Sequence, residues 1–356
     1  VAVLCRPAVA VPEHVVTLEE TLALARAEHR GPPRLALALR LIESTGVRTR
    51  HIIRPVSRTL VQAGIGARHQ VYVAEAKARI PAVVEEALDN AGVEARDIGM
   101  IVYVSCTGFT MPSMTAWMID ALGFRPDTRQ LPIAQLGCAA GAAAINRAHD
   151  FCDARPSANV LVVACEFCSL CYQPTDDDVG DILCAGLFAD AVGAVVVRGE
   201  GGLGIRLERN ASHLVPGTED WISYSVDDTG FHFRLDRRVP GTMAPVAPAL
   251  RGLVERQHWD VSALDFYVVH AGGPRILEDL QRLLDVPRTA FRHSWATLAE
   301  RGNIASVVVL DVLRRLFEED SLPEAARGVI AAFGPGITAE MSVGTWRSRD
   351  PWPAAG

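Results

Sequence analysis

The order of local patterns in the first half of this chain recurs in the second, and that recurrence restricts the fold more than any single motif. Helical and strand patterns alternate almost throughout, as they do in α/β proteins. "TLEETLALARAEHR" opens with Thr17 and Glu20 at capping-box spacing. "RIPAVVEEALDNAG" is amphipathic and stops at Gly92, a natural residue for a helix end. "GMIVYVSC" (99–106) is short, apolar and β-branched, as expected of a strand buried on both faces. "LPIAQLG" predicts a further strand, "CAAGAAAINRAHDF" the buried helix after it, and "NVLVVACE" a strand again.

Beyond the glycine-rich turn "GEGGLG" (199–204) the order returns: helix "VAPALRGLVERQHW", strand "LDFYVVHAGG", helix "NIASVVVLDVLRRLFEE", strand "GVIAAF". Cys106 and His270 stand 164 residues apart (270 − 106), and Cys138 and Asn303 stand 165 apart (303 − 138). A duplicated α/β unit would set these four at equivalent strand ends and helix starts of two halves, 1–200 and 201–356.

The 356 residues are 49% hydrophobic and 22% charged, enough to bury a large core. Net charge is −7, and of the 35 basic residues only Lys77 is a lysine. The basic side chains are scattered, which argues against nucleic-acid and membrane-surface roles while leaving isolated arginines to steer an anionic substrate. The longest apolar stretch, "ILCAGLFADAVGAVVV", is interrupted by Asp190 and too short to span a bilayer. The start, "VAVLCRPAVAVPEH", lacks an uninterrupted apolar signal core. Eight cysteines without such a signal predict free thiols and a cytoplasmic location.

Three residues draw attention as chemistry. Cys138 follows a strand and a glycine and opens a helix, where unpaired amides and the helix dipole favour a thiolate. His270 ends an apolar strand, the place where α/β sheets deliver side chains to a crevice. Asn303 follows a glycine and begins a helix. Each has a plain alternative: a small buried cysteine on a tightly packed helix, a histidine hydrogen-bonded at a strand end, an asparagine N-cap. Together they suit one reaction. A thiolate accepts an acyl group, the histidine supports that thiolate, and histidine with asparagine donates hydrogen bonds to a developing enolate. Those are the requirements of decarboxylative Claisen condensation on thioesters.

"QLGCAAGAAAINRAHDF", "GLFADA", "VHAGGPRIL", "RGNIAS" and "FGPGIT", in that order, resemble the type III polyketide synthases of the chalcone synthase superfamily. "VYVSCTGFTMPS", "CEFCSLCYQPTD", "TEDWISYSVDDTGFHF" and "RRVPGTM" are most similar to a bacterial branch whose members make 1,3,6,8-tetrahydroxynaphthalene. The resemblance implies a thiolase-like αβαβα layered α/β fold and a homodimer. It implies Cys138 as acyl-carrying nucleophile, with His270 and Asn303 as decarboxylation partners. It further implies Phe188 as an aromatic gate to the cavity, Met111 as a residue reaching the neighbouring subunit, and Arg40 as a coenzyme A contact. Malonyl-CoA would serve as starter and extender, built into a pentaketide that cyclises to the naphthalene. That chemistry requires no cofactor, and no GxGxxG follows a strand at the start of a βαβ unit.

"CEFCSLC" sets Cys165, Cys168 and Cys171 at metal-like spacing, with Cys152 and Cys184 as possible further ligands. The resemblance instead assigns Cys106, Cys168 and Cys171 to the cavity wall with no metal, and Tyr224 and Trp221 as further shaping residues. Ala189 and Ala332 depart from family glycines, and a Cβ is costly there if φ is positive. Other acyl starters giving resorcinols or pyrones, a ketoacyl synthase of fatty-acid initiation, and a redox-sensing or metal-binding protein are the competing readings.

Overall fold

The computed structural model describes residues 2–348 apart from 30, 31, 62, 177, 237, 320 and 321; Arg237 of "RRVPGTM" lies outside the described residues. Short strands β1 (Val3–Leu4), β2 (Ala8–Ala10), β3 (His14–Thr17) and β4 (Thr49–Ile52) come first. The first repeated unit holds β5 (Ile98–Val104), β6 (Arg129–Ile133), β7 (Asn159–Phe167) and β8 (Asp190–Arg198). Then follow β9 (Gly204–Leu214) and a hairpin, β10 (Ile222–Asp227) and β11 (Gly230–Leu235). β12 (Phe266–Val269), β13 (Arg327–Gly334) and β14 (Thr338–Arg347) complete the second unit.

The duplication is visible in the pairing. β5 runs parallel to β7 and β7 antiparallel to β8; β12 runs parallel to β13 and β13 antiparallel to β14. The starts of β5 and β12, of β7 and β13, and of the helices Ala140–Ala154 and Val308–Glu318 are each 168 residues apart (266 − 98, 327 − 159, 308 − 140). This offset corrects the alignment drawn from the marker residues. Ser306, not Asn303, stands at the position equivalent to Cys138, and both occupy a single 3₁₀ turn ahead of a central helix. β1 joins the halves, pairing with β8 on one side and β9 on the other, so that one ten-stranded sheet runs through the molecule.

The layers follow from burial on both strand faces. Met100, Val102 and Val104 of β5 face the central core, while Ile98, Ile101 and Tyr103 face the outer core beneath helix Ile65–Ala91. Helices Met243–Glu255 and Pro274–Leu284 lie on the outside of the second half. Between the strand layers run Ala140–Ala154 and Val308–Glu318, buried along nearly their whole length. That close approach explains the small residues of "CAAGAAA", because a Cβ on Gly141 would run into the Ser306 carbonyl. The arrangement is the thiolase-like αβαβα fold.

Several local expectations hold. Thr17 and Glu20 form the capping box, with Glu20 N–H donating to Thr17 Oγ1 at 3.2 Å and Thr17 N–H to Glu20 Oε2 at 2.8 Å. Gly92 ends its helix in the left-handed region at φ 63°. Ala189 and Ala332 are not among the residues at positive φ, so the methyl that replaces a hydrogen at each brings no backbone strain. Among the described residues no helix is long and apolar enough to cross a membrane.

Candidate active site

A cavity of about 490 Å³ gathers side chains from both halves, and Cys138, His270 and Asn303 all face it. Cys138 sits in the 3₁₀ turn Gly137–Ala139 that leads into the central helix. Gly137 is at φ 48°, and a Cβ there would lie 2.6 Å from Pro335 Cδ, so glycine is what lets "FGPG" close over the turn. His270 follows β12 and is held by its backbone N–H donating to Ala331 O at 2.8 Å. Its Nδ1 is buried without a partner among the described residues, and Nε2 lies beside Gly272.

Asn303 is held at both ends of its carboxamide. Its Oδ1 accepts the Ala305 N–H at 3.0 Å as a local cap, while Nδ2 donates to Gly272 O at 3.3 Å and the side chain also hydrogen-bonds Cys138. Its backbone forms a parallel bridge with Phe188: Asn303 N–H donates to Leu187 O at 2.9 Å, and Ala189 N–H to Asn303 O at 3.0 Å. Phe188 lines the cavity and meets Phe233 edge-on at 5.3 Å. Arg50, which the sequence did not single out, fixes this segment from behind, donating to Phe188 O at 2.9 Å and Ala185 O at 2.7 Å.

Burial governs the protonation of the site. It pushes the Cys138 thiol up to about 12, and the Glu166 carboxylate adds to the effect. The hydrogen bonds from Asn303 and the turn backbone act the other way and are outweighed, so a thiolate favoured by the helix start alone is not what the site holds. Burial likewise pushes His270 down to about 3. A lone thiolate and a lone imidazolium are therefore both disfavoured here, and charge is tolerated only when one proton passes from sulfur to ring and the two charges offset each other.

Glu166 is the second residue that sequence reasoning missed. It is fully buried at the end of β7 and accepts from Cys106 N–H at 3.0 Å, Cys106 Sγ at 3.5 Å and Thr107 Oγ1 at 2.9 Å, and from Ser306 Oγ. Burial raises its own pKa, and the hydrogen bonds from Ser306, Cys106 and Thr107 oppose that rise. The same burial, with Glu166 as the next cause, pushes the thiols of Cys106 and Cys168 well up and Cys171 to about 12.

The thiols of "CEFCSLC" do not converge. Cys165, on β7, packs into the outer core, whereas Cys168 and Cys171, in the turn that follows, line the cavity together with Cys106. All eight cysteines are free. Among the described residues no group of three His, Cys, Asp or Glu side chains is arranged to hold a metal. Tyr224 lines the cavity and stacks edge-on against Phe231 at 4.9 Å. Trp221, beneath Arg238 at 4.7 Å, is not part of the lining. Met111 is 96% exposed on the outer surface, and Arg40 lies on the exposed face of helix Pro32–Ser44, away from the cavity that Ile42 of the same helix reaches.

The arrangement offers a nucleophilic thiol, an imidazole and a carboxamide around a largely apolar chamber, with its nearest carboxylate already engaged by four donors. Chalcone and stilbene synthase models match the chain, the N-terminal domain over residues 4–201 and the C-terminal domain over 206–345. The chain is 65% identical to the 1,3,6,8-tetrahydroxynaphthalene synthase of Streptomyces coelicolor over 98% of its length and 93% of that protein. It is equally 65% identical to the synthase of the same name from Streptomyces griseus, over 97% of this chain and 93% of that one. The crystal structure of the Streptomyces coelicolor A3(2) enzyme, described as a bacterial type III polyketide synthase, superposes with a TM-score of 0.96, covering 98% of this chain and all of that one. This chain belongs to the chalcone and stilbene synthase family, the type III polyketide synthases.

Proposed function

We propose that the chain is an acyltransferase that condenses malonyl-CoA, as both starter and extender, into a pentaketide released as 1,3,6,8-tetrahydroxynaphthalene. The observation that carries this reading is the 65% identity to two synthases of that product, coupled to a Cys138–His270–Asn303 set facing one chamber. In loading, His270 takes the Cys138 proton, the sulfur attacks the thioester carbonyl, and coenzyme A leaves as the thiol with that proton. In extension, His270 and Asn303 Nδ2 hydrogen-bond the carbonyl of the incoming malonyl thioester. Its C–C bond to the carboxylate breaks, carbon dioxide departs, and the electron pair moves into the enolate. The enolate carbon then attacks the acyl-Cys138 carbonyl and expels the thiolate, which the next transfer reloads. Every electron pair stays within substrate and enzyme, so the scheme calls for no redox cofactor or metal.

The working form in this reading is a homodimer, since Met111 at 96% and Phe109 at 59% exposure leave apolar surface for a second subunit to cover. Eight free thiols support a reducing, cytoplasmic setting. The decisive experiment is mass spectrometry of reduced enzyme incubated with malonyl-CoA alone, beside Cys138→Ala. The wild type is expected to release carbon dioxide and coenzyme A and to yield tetrahydroxynaphthalene or its quinone, while the variant makes no polyketide. Short pyrones alone from the wild type would overturn the product, and an unacylated Cys138 would overturn the reaction.

A further inference from the structure

The β10–β11 hairpin supplies much of the chamber wall, yet it is not part of the large sheet. Tyr224 on β10 and Phe231, Phe233 and Leu235 on β11 line the cavity, the last three at the every-second spacing that puts one strand face inward. A two-stranded hairpin is marginal by itself in water. Its position therefore depends on what holds its backbone from outside.

Two buried side chains do so. Arg68, in the first turn of helix Ile65–Ala91, donates to Ala63 O at 3.1 Å, to Leu170 O, and to Gln173 Oε1 at 3.1 Å. Gln173 turns its amide Nε2 the other way, to Phe231 O at 3.0 Å and Thr229 O at 3.4 Å. Arg68 is 9% exposed and Gln173 4%. One continuous set of hydrogen bonds thus ties the helix start to the turn carrying Cys168 and Cys171 and to the strand carrying Phe231. The hairpin tip is caught separately, where Ile65 N–H donates to Asp228 O at 2.9 Å. Neither Arg68 nor Gln173 reaches Cys138, His270 or Asn303 by any of these bonds.

We infer that Arg68 and Gln173 are positioning residues that clamp the thiol turn to the aromatic hairpin and so set how long a polyketide the chamber accepts before cyclisation. These hydrogen bonds run to backbone carbonyls or to the other member of the pair, so the clamp sets the spacing of a wall that Gln173 itself borders. Losing it lets Tyr224, Phe231 and the Cys168–Cys171 turn drift independently. Intermediates then leave as shorter lactones while decarboxylation, which draws on none of these hydrogen bonds, continues.

This inference rests on the polyketide reading above, and the wild type checks that reading in the same assay. Gln173→Ala and Gln173→Glu are compared with wild type on malonyl-CoA alone, measuring carbon dioxide release and the ratio of pentaketide to shorter products. Gln173→Glu keeps an oxygen for Arg68 but loses the donor to the hairpin. Both variants are expected to keep carbon dioxide release within about twofold and to lower the ratio at least about tenfold, since a misplacement of about 1 Å can cost about a hundredfold. Gln173→Asn, which retains amide chemistry at shorter reach, is expected to recover part of the ratio. An unchanged ratio in either variant, or release and pentaketide falling in step, overturns the clamp. If Gln173→Ala does not fold, the near-isosteric Gln173→Glu decides by the same two readouts.

Discussion

At the scale of single residues, the site is organised by burial against pairing. Cys138 pushed up to about 12 and His270 down to about 3 each resist charge alone. Ionising the thiol at neutral pH is then favoured by a cation formed in the same chamber, and His270, which faces it, can supply one by taking the proton. His270→Gln keeps a polar side chain of similar reach but cannot take the proton. Alkylation of Cys138 by iodoacetamide at pH 7, followed by peptide mass spectrometry, is expected to slow at least about tenfold in that variant, the factor that one pKa unit on the thiol gives. Equal rates would mean that the thiolate forms without the ring. Cys138 and Asn303 each follow a glycine and His270 ends an apolar strand, which is why the sequence singles them out as candidates, and the three face one chamber. Glu166 left a signal too: a carboxylate inside the apolar run "VLVVACEF" is costly unless its oxygens are all engaged, as they prove to be. Arg68 and Gln173 left none, since their partners, Ala63 O apart, lie far off in sequence.

At the scale of elements, the patterns that read well were those with strong periodicity or full burial. β5, β7, β12 and β13 and the two central helices lie where apolar runs placed them. The β10–β11 hairpin was not read from the sequence, because Phe231 and Phe233 face a cavity rather than a packed core and His232 between them turns to polar partners. That histidine is titratable. His232 Nδ1 lies 2.9 Å from Asp176 Oδ2, and Nε2 lies 3.0 Å from Asp227 Oδ1, which joins the hairpin to the segment that follows the thiol turn. Partial desolvation works against the charged ring, but the two carboxylates outweigh it and hold His232 above its ordinary value. A histidine with a raised folded pKa contributes stability that is full below the unfolded value near 6.5 and is lost as pH rises through the folded value. Thermal denaturation across pH 6 to 9 is thus expected to show wild type losing stability over that rise and His232→Gln losing less. Parallel curves would place the ring's charge outside the hairpin's anchorage.

At the scale of the whole molecule, the duplicated halves do not behave as beads on a string. β1, at residues 3–4, closes the gap between β8 of the first unit and β9 of the second. The central core mixes both units, from Met100 and Ile145 to Leu250 and Val329, and the two central helices meet where Gly141 leaves room for the Ser306 carbonyl. Even the chamber is divided, with Cys138 from one half and His270 and Asn303 from the other. A fragment of either half would bare its share of that core and leave the helix face without its partner, a loss that dwarfs the net stability of a typical domain. Calorimetry of the intact protein is therefore expected to give one transition, and separately expressed 1–200 and 201–356 to show no cooperative transition of their own. Two resolved transitions, or a fragment that melts cooperatively, would mean that each sequence repeat is also a folding unit. A single transition would mean that the duplication survives as geometry while stability belongs only to the pair, so that the chamber and the Cys138, His270 and Asn303 that face it arise together on folding.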